Sequence, residues 1–136
     1  MIRDQLSLAI ADALRGLRID PPASIPLERP GRREHGDWSS SVALAAAKTA
    51  GQNPRQLGQQ LVERLSSALP AHVEHVDLAG PGFVNFHLAP TWLHDVLRDV
   101  VAGGTAGYAT PDLGGGRRVN VEFVSANPTG PLHAGG

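Results

Sequence analysis

Val73–Leu88 reads VEHVDLAGPGFVNFHL, and the periodicity of this stretch decides what kind of fold the chain adopts. Val73–Ala79 and Phe83–Leu88 are short runs, with apolar residues recurring at every second position in the latter (Val84, Phe86, Leu88), and Gly80-Pro81-Gly82 lies between them. Runs of this length bounded by glycine and proline read as strands separated by a turn. Successive side chains of a strand point to opposite faces, so Val84, Phe86 and Leu88 share one face and Phe83, Asn85 and His87 the other. The first set belongs to the core. The second puts a phenyl ring, an amide and an imidazole side by side. Either a helix covers that row, or the row holds an unstacked base, the ring stacking on it and the amide meeting its hydrogen-bonding edge. Periodicity does not choose between the two.

Helical patterns flank the pair of strands. Upstream, Leu57, Leu61, Leu65 and Leu69 form a stripe at steps of four, with Asn53 as cap, Pro54 in the first turn and Pro70 as the stop. Before it, Asp37–Ser40 reads as a strand running into a helix from Ser41 to about Thr49, which Gly51 ends. Ile25–Pro30 fits a short edge strand, where proline is tolerated. Leu6, Ile10, Ala13, Leu14 and Leu17 give an amphipathic helix over Ile2–Gly16, stopped by Asp20-Pro21-Pro22. Downstream, a helix from Pro90 to Ala102 is expected to turn Trp92, Leu93, Val96, Leu97, Val100 and Val101 inward and to end at Gly103-Gly104. This succession predicts an α+β domain over residues 1–110, two layers with helices packed on a small, largely antiparallel sheet. Glycines crowd the stretch after residue 100, and the domain boundary is placed there.

Composition narrows the function. With a net charge of -1 the chain lacks the overall basicity of a general nucleic-acid binder. There is no cysteine, hence no disulfide framework and no thiolate metal site. Met1–Gly16 has no apolar run long enough for a signal peptide and nothing reaches membrane-spanning length, so the cytoplasm is the expected compartment. His72, Glu74, His75 and Asp77 invite a metal reading, but His72 and His75 fall on opposite faces of a strand, and no metal is expected. Arg29, Arg32, Arg33 and His35 crowd into RPGRREHGD, which is either a solvated loop or an anion-facing one.

The tail Val119–Gly136 reads VNVEFVSANPTGPLHAGG. Val119, Val121, Phe123 and Val124 suggest a buried strand, and the small residues after the SANPTGP turn suggest a helix start of the kind that receives phosphate on its backbone N–H groups. VEFVSANPTGPLHAGG resembles the first signature of class I aminoacyl-tRNA synthetases in its arginyl-tRNA synthetase form. That signature ends in a His-x-Gly-His tetrapeptide under ATP; here it is His133-Ala134-Gly135-Gly136, with glycine in place of the second histidine. REHGDWSSSV (Arg33–Val42) and GPGFVNFHL (Gly80–Leu88) are similar to that family's N-terminal domain.

The resemblance implies that 1–110 is the tRNA-binding additional domain and that 111–136 is a linker plus the first strand of a truncated, Rossmann-like α/β catalytic domain. It implies that Phe83 and Asn85 meet the tRNA D-loop, that Glu122, Ser125 and Asn127 hold arginine, and that His133, Gly135 and Gly136 hold ATP. His133 would stabilise charge on the α-phosphate, an electrostatic role. The activity implied is ATP-dependent attachment of arginine to its tRNA, with Mg2+ expected, no tightly bound cofactor and a monomeric parent. One strand and an unfinished turn do not complete a class I site, so this chain alone is expected to be inactive. Two other readings are a free-standing RNA-binding module and an HxGH-type nucleotidyltransferase.

Overall fold

The computed structural model describes residues 2–108 and 114–122. Its regular elements are α1 (Ile2–Gly16), β1 (Trp38–Ser40), α2 (Val42–Ala50), α3 (Pro54–Ser67), β2 (Val73–Ala79), β3 (Phe83–Leu88) and α4 (Thr91–Gly107), with a single 3-10 turn at Arg33–His35. The three strands form one antiparallel sheet in the order β1-β3-β2. β3 is central, and its Val84 and Phe86 are wholly buried. α2 and α3 pack on one face of the sheet and α1 packs on α3. The architecture is the expected two-layer α+β arrangement.

The core is aliphatic apart from Phe86. Leu57 and Leu61 of α3, Val42 and Ala43 of α2, and Leu6, Ile10 and Leu14 of α1 are all fully enclosed. α3 begins as its sequence requires: Asn53 Oδ1 accepts from the backbone N–H groups of Arg55 (2.9 Å) and Gln56 (3.4 Å), and Pro54 occupies the first turn. The helix ends at Ser67, two residues short of Leu69, which is 43% exposed instead of completing the buried stripe. Pro70 is the cause, because proline excludes the helical conformation from the residue before it. α1 closes with Ile19 N–H on Leu14 C=O (3.0 Å) and Arg18 N–H on Arg15 C=O (2.9 Å), and Arg18 itself takes φ 60°.

Two further expectations change on contact with the fold. Ile25–Pro30 contributes no strand, only a bridge between Glu28 and Ser39 whose two backbone bonds measure 3.0 and 2.9 Å. Pro26 and Pro30 carry no N–H with which to extend it. α4 runs to Gly107 with a break at Gly104 (φ 56°, ψ -167°) and buries none of its residues. Leu93, Val96, Leu97 and Val101 are exposed, and Trp92 only partly packs on the core. An amphipathic period shows that a helix has an apolar side; it does not show that room remains on the sheet, and here α2 and α3 already occupy that face.

The chain divides into two compact units, Met1–Asp99 and Val100–Gly136. In the second, residues 117–122 form no regular element, and Val119 and Val121 are each 75% exposed. The strand expected from residue 119 onward is therefore not formed over its described part. A strand is stabilised by pairing, and the described strand ladders involve only β1, β2 and β3. Phe123 and Val124 lie outside the described residues. Among the described helices, none is long and apolar enough to cross a membrane.

Candidate nucleic-acid interface

The face of the sheet turned away from the core helices carries the side chains singled out by alternation. Strand register sets their neighbours. Ser39 of β1 and Asp77 of β2 lie opposite Asn85 of β3 from either side. Asn85 Oδ1 accepts from Ser39 Oγ at 2.8 Å, and Asn85 Nδ2 donates to Asp77 Oδ1 at 3.0 Å. These bonds use one of the amide's two N–H donors and one of its oxygen's two lone pairs. Asn85 is only 1% exposed, so it is more enclosed than an open outer row implies, and its amide plane is fixed from both sides.

Beside it opens a cavity of about 330 Å3. Phe83, Pro30 and Pro81 give it apolar walls, while Asn85, Ser39 and Glu28 bring polar groups to its lining. Phe83 is partly exposed there. A mostly apolar hollow of this size, with a few fixed polar groups, suits a small planar ligand.

The His-Gly-Asp run after the basic loop is a clamp on the central strand. Asp37 N–H donates to Phe86 C=O (2.9 Å), and Asp37 Oδ2 accepts from Leu88 N–H (2.8 Å). Gly36 makes the turn at φ 79°, ψ -159°, and a Cβ there would lie 2.5 Å from Phe86 O. Of the loop's basic residues, His35 reaches the cavity lining. Arg29 lies 4.9 Å over the Trp38 ring, and Arg32 meets Glu34 at 3.4 Å in solvent.

On the same outer face, His87 Nε2 is 2.7 Å from Asp77 Oδ2, and the His87 ring stacks on His75 with centroids 3.9 Å apart. His72 takes no part. It stands just before β2 at φ 65° and meets Thr91 Oγ1 (2.9 Å) and Asp95 Oδ2 (3.0 Å). Sequence spacing rightly separated His72 from His75, but it did not show the pairing of His75 with His87, nor the roles of Ser39 and Asp77. Only the register between strands brings those residues together. Glu122 is described as an exposed residue in no regular element. Ser125, Asn127, His133, Gly135 and Gly136 lie outside the described residues.

A helix-backed antiparallel sheet with a mostly apolar hollow on its free face, edged by a few polar groups, defines an α+β domain with a small-ligand or base-sized site. Residues 4–88 match the family described as the arginyl tRNA synthetase N terminal domain. The chain belongs to this family. It is 45% identical over 135 residues to the arginine–tRNA ligase of Thiobacillus denitrificans, covering 98% of this chain and 24% of that protein. With the arginine–tRNA ligase of Kineococcus radiotolerans it is 46% identical over 143 residues, covering 97% and 25%. The chain thus spans about a quarter of the length of these relatives. Among solved structures, Thermus thermophilus arginyl-tRNA synthetase superposes with a TM-score of 0.58 at 30% identity, over 74% of this chain and 16% of that one. Plasmodium falciparum arginyl-tRNA synthetase shares the fold at a TM-score of 0.59 and 11% identity, over 73% and 18%.

Proposed function

We propose that this chain is the N-terminal part of an arginine–tRNA ligase, and that its first domain, over 1–110, binds the tRNA D-loop through the outer face of the sheet. The carrying observation is the hollow beside Phe83 and Asn85. An unstacked base entering it meets the Phe83 ring, and the unused donor and lone pair of the Asn85 amide are available to its edge. Ser39 and Asp77 hold that amide still, which lowers the entropy lost on binding. The parent reaction is adenylation of arginine by ATP with Mg2+ and transfer to the tRNA, in the cytoplasm and by a monomer. Under the same proposal 111–136 opens the catalytic domain. Glu122, Ser125 and Asn127 contact arginine, the Glu122 carboxylate pairing with its guanidinium. His133, Gly135 and Gly136 contact ATP.

Binding of an arginine tRNA transcript to the 136-residue chain tests the first step. Phe83→Ala removes the stacking surface and should weaken binding by about 1–3 kcal/mol, roughly 5- to 150-fold. Phe83→Tyr keeps the ring and should bind nearly as the parent does. Equal affinity of the Phe83→Ala and parent chains, with the fold intact, overturns the proposal.

A further inference from the structure

The β2–β3 pair holds a second cluster, of which the RNA reading uses only Asp77. Val73 pairs with Leu88 and His75 with His87, so Glu74 is an extra residue and the ladder carries a bulge between Val73 and His75. The bulge changes which side chains share a face. Val73 and Val76 both turn into the core, while His75 and Asp77 point outward with His87. One ligand-capable atom from each of His75, Asp77 and His87 lies within 4.8 Å of the other two. We propose that these three side chains form a site for one borderline divalent transition-metal ion, with zinc as the archetype.

The donor set is the first reason. Two imidazoles and one carboxylate suit zinc, cobalt, nickel or copper rather than magnesium or calcium, which prefer all-oxygen shells. Three protein ligands would leave a fourth position for water.

Preorganisation is the second. All three residues sit on two hydrogen-bonded strands joined by the Gly80–Gly82 turn, not on a loop. Asp77 spends one oxygen on Asn85 Nδ2, which leaves Oδ2 aimed at His87 Nε2. Asn85 is held in turn by Ser39. Support of this kind behind a ligating carboxylate is what orients metal ligands. A plain His–Asp ion pair needs neither His75 in register nor that support.

The fit requires a small movement. Metal–ligand bonds near 2.0–2.2 Å in a tetrahedron separate ligand atoms by about 3.3 Å, so Nε2 and Oδ2 must part from their 2.7 Å contact by roughly half an ångström. The His75 and His87 rings, stacked at 14°, must also swing so that their in-plane lone pairs converge on the ion, and side-chain torsions supply both movements without moving the strands. His75 is exposed, so an ion has an open approach. This inference does not depend on the proposed RNA contact.

The test is calorimetric titration of the metal-free 136-residue chain with zinc chloride, paired with thermal unfolding with and without the ion. The chain should take up one equivalent saturably and unfold at a higher temperature with zinc, because an ion that binds only the folded state stabilises it. His75→Ala and Asp77→Asn should each weaken uptake at least tenfold and abolish the thermal shift, whereas His94→Ala, on α4, should change neither. Cobalt(II) in place of zinc should give visible d–d bands that His75→Ala removes. Since His75 is exposed, its variant folds and keeps the test decisive. Absence of saturable zinc uptake, or uptake unaltered by His75→Ala and Asp77→Asn, overturns the proposal.

Discussion

At Gly36 the backbone takes φ 79° and ψ -159°, a conformation nearly closed to residues with a Cβ. The obstruction is also steric, since a Cβ would press on the Phe86 carbonyl that receives the Asp37 N–H. Gly36→Ala should therefore destabilise the chain by at least 1–3 kcal/mol, roughly the cost of one forced backbone outlier, read as a fall in the urea midpoint. Gly31, a few residues earlier, has nothing within 4 Å of its would-be Cβ. Gly31→Ala should leave stability unchanged or raise it by about 0.4–1 kcal/mol, because alanine restricts the unfolded chain. Equal effects at the two glycines would mean that the clamp on β3 contributes nothing. Sequence alone could not rank the two glycines, because the difference lies in a strand fifty residues away. Asn85 is similar: alternation put it on the outer face, but its enclosure comes from Ser39 and Asp77, which only register reveals.

The elements differ in how much of them was legible. α1, α3, β2 and β3 carry their own signals: an apolar face at helical spacing, a capping asparagine before a proline, alternation in β3, or the Gly-Pro-Gly turn between β2 and β3. Their existence followed from local chemistry. α4 has an equally clear apolar period, but its burial depends on what else covers the sheet, and periodicity carries no such information. The bulge in β2 was illegible for a related reason, since a bulge is defined only against the partner strand. A pair of leucines separates the two kinds of helix experimentally. Leu61 of α3 is fully buried, and Leu61→Ala should cost about 2–5 kcal/mol through lost transfer energy and the cavity left behind. Leu97 of α4 is 61% exposed, and Leu97→Ala should shift stability by less than about 0.5 kcal/mol. Denaturation of the two variants beside the parent measures both, and a Leu97→Ala loss approaching that of Leu61→Ala would restore α4 to the core.

On the scale of the whole molecule, the buried hydrophobic residues among those described all fall between Leu6 and Leu88, and the family match covers 4–88. The described stretch 114–122 has no regular element, and its valines 119 and 121 face solvent. Stability should then reside in the first unit. A chain ended after Tyr108 keeps every core residue and all three strands, together with Phe83, Asn85 and the cavity lining. Its urea unfolding should remain a single cooperative transition with a midpoint close to the parent's. The denaturant slope is the sharper measure, because it scales with surface newly exposed on unfolding, and the described residues beyond 108 are exposed apart from Gly114. Zinc uptake through His75, Asp77 and His87, and tRNA binding through Phe83, should survive the truncation for the same reason. A clear drop in slope together with a lower midpoint would show that residues beyond 108 bury surface with the domain, and the folding unit would then extend past the helix that now closes it.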